Sequence, residues 1–362
     1  MKLRLALVGG PMYDGLYDAL GLWDDPSIDI VVHADHPALN RAVAEIFDGG
    51  GTLDVISTHS KYAPSQRAWL RCLDDVVDVT SLAPRAVALC RFGDTQYCVP
   101  RNIDVRVLWA NRLLCDVHEV PATWRDLASS GLAFGFPGRE SGLFGTLFEI
   151  VTAFGGRLFD GDGRLTFVNA SVIEALECLA RIGKNGPSAM VDWHYDEVDA
   201  AVGRGELALA AAWPGGTVAL RESAAGPDLV PLPYFGDASG ARSYAGCHAW
   251  AIPRSSGDEQ AALDLVQRLC SLEAHTFDAV SGTISAHVAA MAAIEPIDAI
   301  DAQRLAITAS TIANGMLTYP PMERFFEVED AAWEAIHSML VGNANASDTA
   351  RIMQRSAEEA LQ

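Results

Sequence analysis

Short apolar strands alternate with amphipathic helices through the first third of the chain, and that alternation constrains the fold more than any other feature. Residues 3–8 read as a strand that runs into Gly9-Gly10-Pro11, after which Leu16, Leu20 and Trp23 keep a helical spacing. Residues 28–33 read as a second strand. Asp35 then stands where a helix N-cap belongs, with Pro37 in the first turn and Leu39, Val43, Ile46 and Phe47 along one face. Residues 53–57 read as a third strand and residues 68–73 as part of a third helix. Short apolar strands, each followed by a helix, predict a mostly parallel, doubly wound α/β sheet flanked by helices.

The rhythm breaks near Ala86. Residues 87–90 and 96–99 flank Gly93-Asp94 and predict an antiparallel hairpin. Residues 105–110 form another strand, and Thr123 opens a helix in Pro121-Ala122-Thr123-Trp124. Further on, residues 132–136 read as a strand and residues 144–154 as a helix ended by Gly155-Gly156. Ser171 and Glu174 have the spacing of a capping box at the start of a helix reaching Ile182. Residues 207–213 and 247–252 are apolar strands, and helices fill most of the chain from Asp258. At 362 residues, half of them apolar, the chain exceeds one ordinary domain and can bury two cores. No repeat or low-complexity linker separates them, so ordered segments are expected to cross between two lobes.

Charge narrows the partners. Twenty-six Lys plus Arg stand against 47 Asp plus Glu, a formal charge of −21, and such a surface repels phosphate backbones and anionic lipid. Neither nucleic acid nor membrane insertion is expected, since no window approaches the ~20 apolar residues of a span. The seven cysteines are odd in number, irregularly spaced and without Cys-x-x-Cys, which fits free thiols in a reduced compartment. The apolar run of residues 5–8 stops at Gly9-Gly10-Pro11, short of the roughly 7–15 residues of a secretory core. As written, the chain is expected in the cytoplasm; with a leader already removed it would be periplasmic.

Catalytic and cofactor motifs fare poorly. Gly9, Gly10 and Gly15 miss the dinucleotide spacing, and Gly49-Gly50-Gly51-Thr52 precedes a strand where a phosphate loop would follow one. His33-Ala34-Asp35-His36 has the look of a metal cluster, but at a strand end before a helix it reads as an exposed, capping segment. Cys247 and His248 are neighbours on a strand and point to opposite faces, so they cannot act as nucleophile and base. Ser141 in Gly138-Arg139-Glu140-Ser141-Gly142 sits one place too late for a nucleophile elbow. No metal, cofactor or catalytic set is expected. Trp213, ending a strand before Pro214-Gly215-Gly216, reads either as core or as a flat platform for an apolar sugar face.

Several segments in order resemble the extracellular solute-binding proteins of bacterial sugar ABC transporters, family 1, the maltose-binding-protein group. They are Leu53-Asp54-Val55-Ile56; Val99-Pro100-Arg101-Asn102-Ile103-Asp104 through Val107-Leu108-Trp109-Ala110-Asn111; and Pro121-Ala122-Thr123-Trp124-Arg125-Asp126-Leu127. The longest match, residues 145–175, includes Phe148-Glu149, Phe154-Gly155-Gly156 and Leu158-Phe159-Asp160. Residues 195–215, Gly246 to Trp250, and Ala251-Ile252-Pro253-Arg254 complete the set. The chain departs from the family in showing no export leader, and in Ser285-Ala286-His287, where the family commonly has a Pro and an Arg.

The resemblance implies a two-lobed fold, with residues 1–106 and 250–305 in an N-terminal lobe and residues 107–249 and 306–362 in a C-terminal lobe. Crossings would fall near residues 105–109, 248–251 and 294–313, and hinge closure would shut a cleft on a small polar ligand. It further implies a monomer that binds a mono- or oligosaccharide or sugar derivative without cofactor or chemistry and serves ABC permease subunits. By position, the ligand residues expected are Met12, Tyr13 and Asp14 after the first strand, and Thr58, His59 and Ser60 after the third. Asn102 and Asp104 at one crossing, Arg139, Glu140 and Ser141 at a helix start, Trp213, and Gly246 and His248 at the other crossing complete them. A cytosolic ligand sensor and an enzyme on the same fold stay open as alternatives.

Overall fold

The strand Leu3–Val8 shows how the first sheet is made. Its alternate residues feed two separate apolar clusters: Leu3, Leu5 and Leu7 join Leu16, Tyr17, Trp250 and Val266, while Ala6 and Val8 join Leu39, Val43, Ile56 and Cys247. A strand covered on both faces is apolar where it is covered, which is why no alternation is visible from Leu5 to Val8; Arg4 near the strand's start is only partly buried. Each fully buried Leu or Val here contributes about 1.5–3 kcal/mol.

The computed structural model describes residues 2–74, 76–237 and 240–362. By internal contacts the chain forms two units. One comprises Met1–Asp104, Gly246–Glu295 and Pro321–Glu323; the other comprises Val105–Ala245, Pro296–Pro320 and Arg324–Gln362.

In the first unit five strands lie in the order Ile28–Ala34, Leu3–Val8, Val55–His59, His248–Ala251, Val99–Pro100. The first three are mutually parallel, and His248–Ala251 runs antiparallel to both of its neighbours. The sheet is therefore mixed. Its parallel half comes from consecutive strand–helix units, and its antiparallel strand from a distant part of the chain. Asp35 caps the helix His36–Asp48 by accepting from the amide of Ala38 at 2.9 Å.

In the second unit Val107–Asn111 pairs antiparallel with Leu229–Leu232 and Leu209–Ala212, and the latter pairs parallel with Phe134–Gly135. The helix Glu140–Ala153 is buried from Gly142 to Val151 and packs beside Phe325–Leu340 and Ala170–Asn185. Trp124, just past its Thr123 cap, packs edge-on against Phe134 and Tyr234 and tilted against Phe235.

Three local expectations are corrected. Residues 68–73 are not helical: a short helix, Ala63–Gln66, gives way to turns, and Leu70 bridges Pro253 instead. Residues 87–90 lie mostly in the helix Pro84–Leu89, with Pro84 in its favoured first turn, so the hairpin about Gly93-Asp94 is the shorter pair Arg91–Phe92 and Thr95–Gln96. The cap of Ala170–Asn185 is Asn169, whose side chain accepts from Val172 at 3.0 Å, two residues ahead of Ser171. All seven cysteines are free, and the sulfurs of Cys90 and Cys247 lie 3.6 Å apart in the apolar interior. Among the described residues no helix is long and apolar enough to cross a membrane.

Candidate functional site

In the first unit the C-terminal ends of the parallel strands gather most of the polar residues expected from the sequence. Leu3–Val8 turns at Gly9, where a Cβ would meet the His33 ring at 2.6 Å, and the chain then presents Met12, Tyr13 and Asp14. Asp14 serves that turn: its carboxylate accepts from the Gly10 amide at 3.2 Å and contacts His33 Nε2 at 2.8 Å. Tyr13 reaches across the chain, and its hydroxyl lies 2.9 Å from His248 Nε2. Met12 is half-buried in the same turn.

Thr58 and His59 belong to the strand, not to the loop after it, because pairing with His248–Ala251 extends the ladder to His59. The Thr58 hydroxyl donates to Gln66, which in turn donates to Asn40, so its hydrogen bonding is used inside the unit. Ser60 locks the same edge, exchanging bonds with the backbone of Cys247. Asn102 accepts from the amide of His248 at 2.8 Å and donates to both carboxylate oxygens of Asp104. Asp104 stands 3.6 Å from His248 Nε2. Burial raises its carboxyl to about 7, against the lowering effect of Asn102. Burial likewise holds His59 and His248 well below the ordinary imidazole range and His36 at about 3, so these rings are neutral at physiological pH. The chain thus brings together Tyr13, His59, Asn102, Asp104 and His248. Gly246 ends the strand Ser243–Gly246 and is buried.

His36 corrects the reading of residues 33–36 as an exposed capping segment. Asp35 does cap, but both ring nitrogens of His36 are buried, because the first helical turn aims the ring at His59 and His248.

The second unit holds a separate arrangement around Arg106, which sequence reasoning missed. Arg106 is 1% exposed and Glu149 fully buried; they pair at 3.2 Å. Glu149 also accepts from the Tyr234 hydroxyl at 2.9 Å and the Tyr244 amide at 2.7 Å. The Arg106 guanidinium lies 4.9 Å from the ring centre of Trp213 and 5.8 Å from that of Tyr195, within cation–π range. Tyr195 and Tyr244 meet the indole edge-on, and Tyr319 packs against Tyr244 at 4.8 Å. Trp213 itself is only half-buried, unlike Trp109, Trp124 and Trp250. A charged residue inside the apolar run of residues 105–110, and a carboxylate inside the apolar helix, were the signals available for Arg106 and Glu149.

Arg139, Glu140 and Ser141 lie at the start of the helix Glu140–Ala153, where Glu140 also approaches His194 at 3.8 Å, whose ring packs on Tyr195. Arg139 donates to Glu140 at 2.8 Å and to the Asp192 carbonyl at 2.9 Å, and lies 3.6 Å from Glu197. Ser141 is half-buried in the first helical turn. A cavity of about 730 Å³ also opens in this unit beside Phe136, Arg181 and Met190, but no residue expected to hold ligand lines it.

Among curated proteins no sequence matches this chain. Solved structures do match its fold. Maltose-bound MalE3 of T. maritima aligns with a TM-score of 0.86 at 19% identity, over 99% of each chain. A ribitol complex of an ABC transporter solute-binding protein from Agrobacterium radiobacter K84 gives 0.85 at 18% identity, over 99% of this chain and 98% of the other. The GacH receptor of Streptomyces glaucescens gives 0.82 at 15% identity, over 100% and 99%. These likenesses establish the two-lobed periplasmic-binding-protein-like fold. The sequence from residue 24 to residue 274, well over half of the chain, matches a single family, and the chain belongs to the bacterial extracellular solute-binding proteins.

Proposed function

We propose that the chain is the substrate-binding component of an ABC-type carbohydrate uptake system, taking a mono- or oligosaccharide or a sugar derivative and passing it to permease subunits. The half-buried Trp213, flanked by Tyr195 and Tyr244 and backed by the Arg106–Glu149 pair, carries the reading. A sugar ring has an apolar face that an indole can cover and hydroxyls that need fixed polar partners. Tyr13, His59, Asn102, Asp104 and His248 supply such partners in the first unit. Maltose and ribitol in the matched structures are both polyhydroxylated, which supports this class of ligand.

On this reading the chain works as a monomer outside the cytoplasmic membrane and binds without turnover. Asp104 beside His248 is the pair that acid–base chemistry would use, so an enzyme is the reading to test against. The experiment is a thermal-shift screen over a carbohydrate library, followed by product analysis with the best binder. A ligand at 100 times its Kd should add about 2.7 kcal/mol of stability and come back unchanged. Released product would move the assignment to an enzyme. Residence of the native protein in the cytosol, with no recovery by osmotic shock, would move it to a ligand sensor.

A further inference from the structure

Three histidines from three separate segments of the first unit turn their rings on one point. His36 opens the helix His36–Asp48, His59 ends the strand Val55–His59, and His248 opens the strand His248–Ala251, directly opposite His59 in the ladder. Their ring centres form a nearly equilateral triangle: 5.1 Å from His36 to His59, 4.9 Å from His36 to His248 and 5.0 Å from His59 to His248. One ring nitrogen from each lies within 4.8 Å of the others. His59 and His248 are 6% and 7% exposed. Among the described residues neither nitrogen of His36 nor Nδ1 of His248 has a hydrogen-bond partner, although all three atoms are buried. Buried nitrogens left in this state are costly, and an ion at the centre would satisfy one of the two on His36 and the one on His248.

We propose that His36, His59 and His248 form a binding site for a divalent transition-metal ion, zinc fitting best. Three imidazoles suit zinc, and three protein ligands leave a fourth position for water or for an oxygen of a bound molecule. The outer partners are already in place on His248, whose Nε2 meets the Tyr13 hydroxyl at 2.9 Å and faces Asp104 at 3.6 Å, leaving Nδ1 for the metal. His59 Nδ1 accepts a long bond from the Lys61 amide at 3.2 Å, which the metal displaces in either mode of ligation. Tetrahedral zinc–nitrogen distances of about 2.0–2.1 Å require the rings to draw inward from their present spacing. Two charges oppose a cation: the Lys61 ammonium, which sits 4.6 Å over the Tyr62 ring, and Arg101, which acts on His248 but is paired with Asp278 at 2.7 Å. The proposal does not rest on the carbohydrate reading, and each can fail without the other.

The test uses the full-length protein, stripped with a chelator and titrated with Zn²⁺ by calorimetry and with Co²⁺ by visible absorption. One ion per chain is expected, with the intense bands of low-coordinate cobalt. Tyr13→Phe should weaken binding about 10–100-fold as loss of an outer partner, and His36→Gln and His248→Ala should each cost more than that. Lys61→Met should tighten it. Circular dichroism and a thermal melt verify folding, and should His248→Ala fail to fold, His36→Gln at the half-buried helix start carries the test alone. Absence of one-equivalent binding to the wild-type protein overturns the proposal. So does binding that survives His36→Gln unchanged.

Discussion

A charge in an apolar environment needs its partner, and Arg106 has Glu149. Removing one member leaves the other buried and uncompensated, so Glu149→Ala should lower stability by about 3–5 kcal/mol in a denaturant titration. Tyr234→Phe, which deletes the hydroxyl that donates to Glu149 and accepts a long bond from Arg106, should cost about 1 kcal/mol. Trp213 behaves differently because it is only partly buried. If it stacks on ligand, Trp213→Ala should weaken carbohydrate binding by about 0.5–1.5 kcal/mol or more. Being half-buried, it should fall short of the roughly 3–5 kcal/mol stability loss of a core aromatic. A calorimetric titration paired with a melt separates the two, and unchanged affinity in a folded variant removes Trp213 from the site.

Elements were legible in the sequence where a local rule governed them. The caps at Asp35 and Thr123 formed as expected because an N-cap needs only its own side chain and an amide three residues on. Residues 68–73 failed because Leu70 is claimed by Pro253, a partner almost two hundred residues away. The same limit explains the histidines: His36 was weighed with its sequence neighbours, whereas its spatial neighbours arrive from two other segments. Arg106 carried a local signal, but its aromatic surroundings did not. The helix Glu140–Ala153 adds a strained start, since Glu140 stands at φ 55°, a region that favours glycine. Glu140→Gly should therefore raise stability by about 1 kcal/mol, because the surface pair it gives up with Arg139 contributes little. A lower melting temperature than wild type would show that the strain is offset by that contact.

At the scale of the whole molecule, acid should act through buried neutral rings. His275 is 1% exposed, lies 2.8 Å from Ser285, and is held by burial at about 3, with His287 and Arg101 lowering it further. The unfolded chain titrates near 6.5, so between about pH 6.5 and pH 3 it binds a proton that the folded chain refuses. Stability should accordingly fall as pH drops through that window, by up to about 1.4 kcal/mol per pH unit from this group. His275→Asn should flatten the slope by that amount in chemical denaturation at pH 6, 5 and 4. An unaltered slope would mean that His275 accepts its proton in the folded state.

The order of segments in the first unit also has a consequence in time. His248–Ala251 lies between Val55–His59 and Val99–Pro100 in the sheet, yet roughly 140 residues of the other unit precede it in the chain. At about 5–20 residues per second, a ribosome takes about 7–28 s to make that stretch. Throughout that interval the nascent chain carries three finished parallel strands with one edge of Val55–His59 unpaired, the kind of edge to which other chains add strands. Synthesis, more than the finished molecule, is where this protein meets its greatest exposure to aggregation.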